Sequence, residues 1–356
     1  MDLNIKPLIE LAINQNASDI HLQTGQKPIM RINGKLLLVE DSEPFQLTEG
    51  STEFQELLNE KQHAYFKEHG SVDFAFSHNA DVRMRANIFR RQDGLSLSLR
   101  IVRNKVLSFD QLGLPKVFQD IAENYRQGFF LIVGPTGQGK TTSLASLVSY
   151  INNHRSEHIL TIEDPIEYII HNNKSVIEQR EIGLHASSFE NALRASMRQD
   201  PDIIIIGEMR DRETMQAAIT LAETGHLVLS TMHTNNSVQT IDRIIDAFPD
   251  SKQKQIRIQL ASTLSGVISQ RLVPGIDGKL VFAYEQMIMT DAVRNIIRSE
   301  KVEQIYNALQ GEEAAGYVRL EQCLVDLVKA EKISKEMALN FATNRDLIKV
   351  FEDFQK

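Results

Sequence analysis

The eight residues Gly134-Pro135-Thr136-Gly137-Gln138-Gly139-Lys140-Thr141 constrain this chain more than any other stretch. They follow the pattern G-x-x-x-x-G-K-[ST], and their surroundings suit it. Phe129 to Val133 is a short apolar run that reads as a buried strand, and Thr141 to Tyr150 reads as a helix. A strand, a glycine-rich turn and a helix start make a cradle for phosphate. Backbone N–H groups close around the oxygens, and the helix N-terminus adds partial positive charge. Lys140 is expected to reach the β- and γ-phosphates, and Thr141 to offer its hydroxyl to Mg²⁺. The expected nucleotide contacts are Gly134, Pro135, Thr136, Gly137, Gln138, Gly139, Lys140, Thr141 and Thr142.

Three further segments carry groups suited to phosphoryl transfer. The isoleucine run Ile203 to Ile206 ends in Gly207-Glu208, an acidic residue at a strand end. A carboxylate there can hold the Mg²⁺ shell or a water, so Glu208 is assigned to metal and catalysis. Thr161-Ile162-Glu163-Asp164-Pro165-Ile166-Glu167 places carboxylates after a short apolar strand that Pro165 stops. Transfer to water needs a group that positions or deprotonates the water, and Glu163 is that choice. Asp164 and Glu167 are expected to orient neighbours. His226 and His233 flank one strand. Zinc would need further ligands, and no cysteine is near. A histidine at a strand end beside the nucleotide can sense phosphate, and His226 is placed in the catalytic set.

The chain has 356 residues, enough for two or more domains with a large core. Its formal net charge of −8 gives no general reason to bind nucleic acid. The single cysteine, Cys323, excludes an internal disulfide and a four-cysteine zinc module, and its apolar neighbours suggest a core position. The N-terminus lacks a basic start and a long apolar stretch, and no run approaches the roughly 20 apolar residues of a membrane span. A soluble, cytoplasmic protein without direct membrane insertion is expected.

Texture divides the chain. Residues 1–104 read as an α+β domain, with an early helix, short strands around Asp19–Leu22, Ile29–Ile32 and Leu36–Val39, a turn at Asn33-Gly34, one helix over 51–68, and strands at 83–89 and 95–101. Residues 105–127 read as a linker with one short helix. Over 128–290, short apolar strands alternate with helices, the mark of an α/β domain with a parallel sheet covered on both faces. Residues 291–356 read as mostly helical.

In this order the motifs resemble those of the secretion and type IV pilus ATPases, the GspE/PilB/PilT superfamily. The match comprises the Walker A loop (134–141), an acidic box (161–168), a Walker B signature (198–211) and a His box (222–235). It extends to Ser18-Asp19-Ile20-His21-Leu22 and to Gln179-Arg180-Glu181. The resemblance implies a RecA-like ATPase core, a smaller PAS-like N-terminal domain and a helical C-terminal region. It implies ATP and Mg²⁺ as cofactors, a homo-hexameric ring, and arginines of the N-terminal domain at the phosphates. Arg83 and Arg100, on strands that match, are the expected ones, with Arg85 beside them.

Within the superfamily, assembly and secretion ATPases carry a longer N-terminal region and usually a four-cysteine zinc module, and this chain has neither. Retraction motors carry A-I-R-N-L-I-R-E, here Ala292-Val293-Arg294-Asn295-Ile296-Ile297-Arg298-Ser299. Val293 and Ile296 are conservative changes. Ser299 replaces an acid, which can weaken a pairing on which retraction depends. The expected function is type IV pilus retraction and twitching motility. The expected partners are the inner-membrane platform protein of the pilus and an accessory retraction ATPase, with peripheral association at the inner membrane. The rival readings are an accessory retraction ATPase, a type IV secretion ATPase, a nucleic-acid translocase and a nucleotide switch.

Overall fold

Alternating and continuous apolar runs build two different sheets in this chain. The computed structural model describes residues 5–32, 34–79, 82–103, 105–309 and 316–344. Contacts divide the chain into one unit of Met1–Lys105 with Pro165–Ile169, and a second of Val106–Asp164 with Ile170–Lys356.

The first unit is an antiparallel sheet of β1 (Ala17–Gln23), β2 (Ile29–Ile32), β3 (Lys35–Leu38), β4 (Ser71–Ser77), β5 (Val82–Arg91) and β6 (Gly94–Arg103), in the order β3-β2-β1-β6-β5-β4. Its strands alternate. Val82, Met84, Ala86 and Ile88 of β5 are buried, while Arg83, Arg85 and Asn87 face the other way. Helices Lys6–Asn14, Thr52–Leu57 and Glu60–His69 supply Ile9, Phe54 and Phe66 to the same core. The single helix expected over 51–68 is two. Asn59 starts the second with a capping box, in which its side chain accepts from Gln62 N and its own N–H donates to Gln62 Oε1. Strand β4 was not anticipated from the sequence. β2 and β3 pair as an antiparallel hairpin, and Asn33 of the expected turn lies outside the described residues.

The second unit holds β7 (Gly128–Val133), β8 (His158–Glu163), β9 (Val176–Glu181), β10 (Ile203–Ile206), β11 (Leu227–Met232), β12 (Leu264–Pro274), β13 (Leu280–Ile288) and β14 (Tyr317–Val318). The order is β14-β13-β12-β7-β11-β10-β8-β9. From β12 to β9 the pairs are parallel, and β13 and β14 add antiparallel strands at one side. The central strands are apolar throughout because both faces are covered. Phe129, Leu131, Ile204 and Ile206 pack with helices Arg212–Glu223, Ser237–Asp246 and Asp250–Thr263. Phe130, Ile132, Ile203 and Ile205 pack with helices Lys116–Asn124 and Lys140–His154. The α/β class is as expected.

Residues 105–127 differ from a one-helix connection. They form two helices, Phe109–Leu112 and Lys116–Asn124, and Val117, Phe118 and Ile121 belong to the core of the second unit. Beyond β13 come helices Asp291–Arg298, Ile305–Ala308, Leu320–Lys329 and Lys335–Phe341. The remainder of the expected helical region, 310–315 and 345–356, lies outside the described residues. Cys323 sits in a small apolar cluster with Val273, Ala283 and Leu324, and burial pushes its thiol up to about 11.

Candidate phosphate-binding and hydrolytic site

Because β7, β8, β10 and β11 run parallel, their C-terminal ends share one edge, where open α/β sheets bind ligands. Glu163 is the last residue of β8, and Gly134, Gly207-Glu208 and His233 follow the ends of the other three.

The loop after β7 has the shape that the glycines permit. Gly137 and Gly139 hold left-handed φ angles of 79° and 76°, and Gly139 is the N-cap of helix Lys140–His154 with no side-chain cap. The first N–H groups of the helix are therefore left for a ligand. A Cβ on Gly134 would stand 2.5 Å from the Gln270 carbonyl oxygen. Only glycine fits there.

Lys140 is 6% exposed. Its ammonium donates to the carbonyls of Gly134 (2.9 Å) and Pro135 (3.0 Å) and lies 3.3 Å from His233 Nδ1. Burial holds its pKa below the ordinary lysine value, with Glu208 opposing that shift only in part. Thr136 Oγ1 is also 3.3 Å from His233 Nδ1. His233 Nε2 is 3.1 Å from Glu208 Oε1, and Arg210 donates to Glu208 Oε2 at 2.9 Å. Burial raises the Glu208 carboxyl, but Arg210 and His233 together outweigh it and hold it below its ordinary value. Lys140, His233, Glu208 and Arg210 thus form one chain of polar contacts along the edge.

Glu163 ends β8. Its Oε1 accepts from Thr161 Oγ1 (2.7 Å) and Gln179 Nε2 (3.1 Å), which fixes the carboxylate plane. β10 and β11 stand between β8 and β7, so Glu163 is roughly 14 Å along the edge from the loop strand at about 4.8 Å per strand.

Thr141 stands in the first helical turn and Glu208 at the end of β10. Both offer hard oxygen donors. Among the described residues no cluster of His, Cys, Asp and Glu could hold a metal by itself. A hydroxyl and a carboxylate, completed by phosphate oxygens and water, suit Mg²⁺.

The structure does not bring His226 to this site. His226 precedes β11, at the opposite end of the sheet, with Nδ1 3.0 Å from both Leu221 O and Thr224 Oγ1. The six residues of β11 separate it from the loop edge by about 20 Å at 3.3 Å per residue. The histidine at the loop edge is His233, beside Thr136 and Lys140. Arg83 and Arg100 belong to the first unit. Arg100 Nε donates to Asp19 Oδ1 at 2.9 Å, and Arg31 lies 3.7 Å from the same carboxylate. Arg85 pairs across the sheet with Arg100.

Arg210, Gln270 and Arg271 were not foreseen. Arg271 Nη2 donates to Asn235 O at 2.7 Å and Nη1 to Gln270 O at 2.9 Å, and Gln270 Nε2 donates to Gln138 O, so β12 touches both the His233 loop and the loop 134–141. The cue was Ser269-Gln270-Arg271, a polar break in the apolar run Val267 to Val273.

Residues 2–344 match the family model described as "Type II/IV secretion system protein". The chain is 40% identical over 352 residues to the "Type IV pilus retractation ATPase PilT" of Pseudomonas aeruginosa, covering 99% of this chain and 100% of that one. It is 41% identical over 320 residues to a "Twitching motility protein" of Neisseria gonorrhoeae, covering 90% and 85%. Its fold matches the crystal structure of the pilus retraction motor PilT with bound ADP at a TM-score of 0.90 and 40% identity, over 98% of this chain and 100% of that one.

Proposed function

We propose that this chain, which belongs to the type II/IV secretion system protein family, is an ATPase that turns ATP hydrolysis into type IV pilus retraction. The observation that carries this reading is the full-length likeness to a retraction ATPase, which spans both units of the chain.

In the mechanism, the phosphate chain of ATP enters the loop at Gly134–Thr141. The ammonium of Lys140 leaves the carbonyls of Gly134 and Pro135 for phosphate oxygens, a charge-assisted exchange. Glu163, held by Thr161 and Gln179, accepts a proton from a water as its oxygen bonds to the γ-phosphorus. The bond to the bridging oxygen breaks, and ADP and phosphate leave. Mg²⁺, held by Thr141 and Glu208, would neutralise phosphate charge when bound. His233 links Lys140 to Glu208, so displacement of the lysine is felt at the carboxylate two strands away. Arg83 and Arg100 of the first unit are the arginines this reading assigns to phosphate, and Arg100 is held by Asp19 through its Nε.

The working form is a homo-hexameric ring on the cytoplasmic side of the inner membrane. It is held there by the platform protein and assisted by an accessory retraction ATPase. No described helix is long and apolar enough to cross a membrane.

The segment 292–299 gives the test. Arg294 donates to the carbonyls of Ala261 (2.5 Å) and Ser262 (3.3 Å), in the last turn of helix Asp250–Thr263. Val293 and Ile297 bury the helix Asp291–Arg298 against the core. Ser299, where an acid was expected, donates to Asn295 O at 2.7 Å and closes its own helix, and Arg298 turns to Asn295 Oδ1 at 3.0 Å. Arg294→Ala is expected to lower stability by about 1 kcal/mol through the lost cap. It should leave ATP hydrolysis within about threefold of the parent while abolishing twitching, because the residue lies away from the reacting groups. Loss of hydrolysis in the folded variant would place the segment in the catalytic machinery instead.

A further inference from the structure

The loop Gly134–Thr141 is gripped from one side by β12. Gln270, only 1% exposed, donates its Nε2 to the backbone carbonyl of Gln138. Its Oε1 accepts from Ser143 Oγ at 2.9 Å. The orientation of this amide is settled by its partner, since a backbone carbonyl can only accept. One residue pair further on, Leu272 N donates to the Gln138 side-chain Oε1 at 2.6 Å. A Cβ on Gly139 would meet Gln270 Nε2 at 3.1 Å, so the amide lies against the loop backbone itself.

These contacts have a geometric consequence. A trans peptide is planar, and its C=O and N–H point in opposite directions. Capturing the Gln138 carbonyl toward β12 turns the Gly139 N–H away from β12. That N–H is the donor immediately ahead of Lys140, where the phosphate-binding pattern needs one.

We propose that Gln270, hydrogen-bonded to the Gln138 carbonyl and fixed by Ser143, is a positioning residue that presets the Gln138–Gly139 peptide for nucleotide phosphate. Gln138 adds a second clasp, since its own side chain accepts from Leu272 N. The grip reaches the loop from β12, and Arg271 extends it to the His233 loop through Asn235. Gln270 therefore acts on binding of the phosphate chain as a whole rather than on the proton transfer at Glu163. The inference rests on the nucleotide reading above.

The test is Gln270→Met, which keeps the length of the side chain and loses the donor. ADP binding is measured by titration calorimetry, steady-state ATP hydrolysis alongside it, and folding by thermal unfolding. The expected result is a rise of about tenfold in ADP Kd and in KM for ATP, the scale of a lost phosphate donor, with kcat falling less than about threefold. A folded variant whose Kd and KM stay within about twofold of the parent, or whose kcat falls with KM unchanged, overturns the proposal. If Gln270→Met does not fold, Ser143→Ala keeps Gln270 and frees its amide. ADP Kd should then rise about threefold, and an unchanged Kd overturns the proposal. A parent chain that binds no ADP would defeat the nucleotide reading itself, whereas a binding parent with an unaffected Gln270→Met defeats this inference alone.

Discussion

Lys140→Ala is expected to reduce ATP turnover to background and to raise the ADP Kd by about 10²-fold or more, as the loss of a buried charge-assisted donor implies. Two consequences of the geometry make this the largest single effect. Lys140 is the cation that closes the loop, because its ammonium bridges the Gly134 and Pro135 carbonyls. It is also the link through His233 to Glu208. Removing it leaves both carbonyls without that donor and leaves the phosphates without their nearest positive charge. Calorimetry with ADP and a phosphate-release assay check the two halves separately. Near-parental turnover would mean that Gly134–Thr141 does not hold the nucleotide.

Glu163→Gln is the second. The amide keeps an oxygen for Thr161 and Gln179 but has no basic lone pair to take a proton from water. ATP binding should stay within about threefold of the parent while kcat falls by about 10² to 10⁴, the range for a lost general base. Single-turnover hydrolysis and nucleotide titration on the same preparation read the split. If the variant hydrolyses ATP at the parental rate, the base is Glu208. Its carboxylate is engaged by His233 and Arg210.

What the sequence made legible follows from the range of each interaction. The loop 134–141, the strand before it and the acids at 163 and 208 are local patterns, and parallel pairing alone carries them to one edge. Apolar runs such as Ile203–Ile206 reveal a strand covered on both faces but not its neighbours. The hairpin of β12 and β13 was missed because its significance lies in a contact between Gln270 and Gln138, 132 residues apart. The choice between His226 and His233 is decided by strand direction. Both flank β11, but only the C-terminal flank of a parallel strand faces the ligand edge. The break between the helices Thr52–Leu57 and Glu60–His69 had a visible signal in Asn59-x-x-Gln62, a capping box that outweighs the apolar periodicity across it.

Ser299 shows a different limit. As a sequence change it reads as a lost acid, and in the structure it is a helix-closing hydroxyl. A substitution that removes one interaction can supply another that the family pattern does not encode.

The most direct measurement is made in cells whose chromosomal copy carries Glu163→Gln. Pili are labelled with a fluorescent dye, and their lengths are followed over time. If ATP hydrolysis at this site drives retraction, the cells will extend pili that remain long and do not shorten, and twitching will cease. Cells that carry no pili would contradict the account and assign the motor to assembly, and cells whose pili retract at the parental rate would contradict the role of this site in the work.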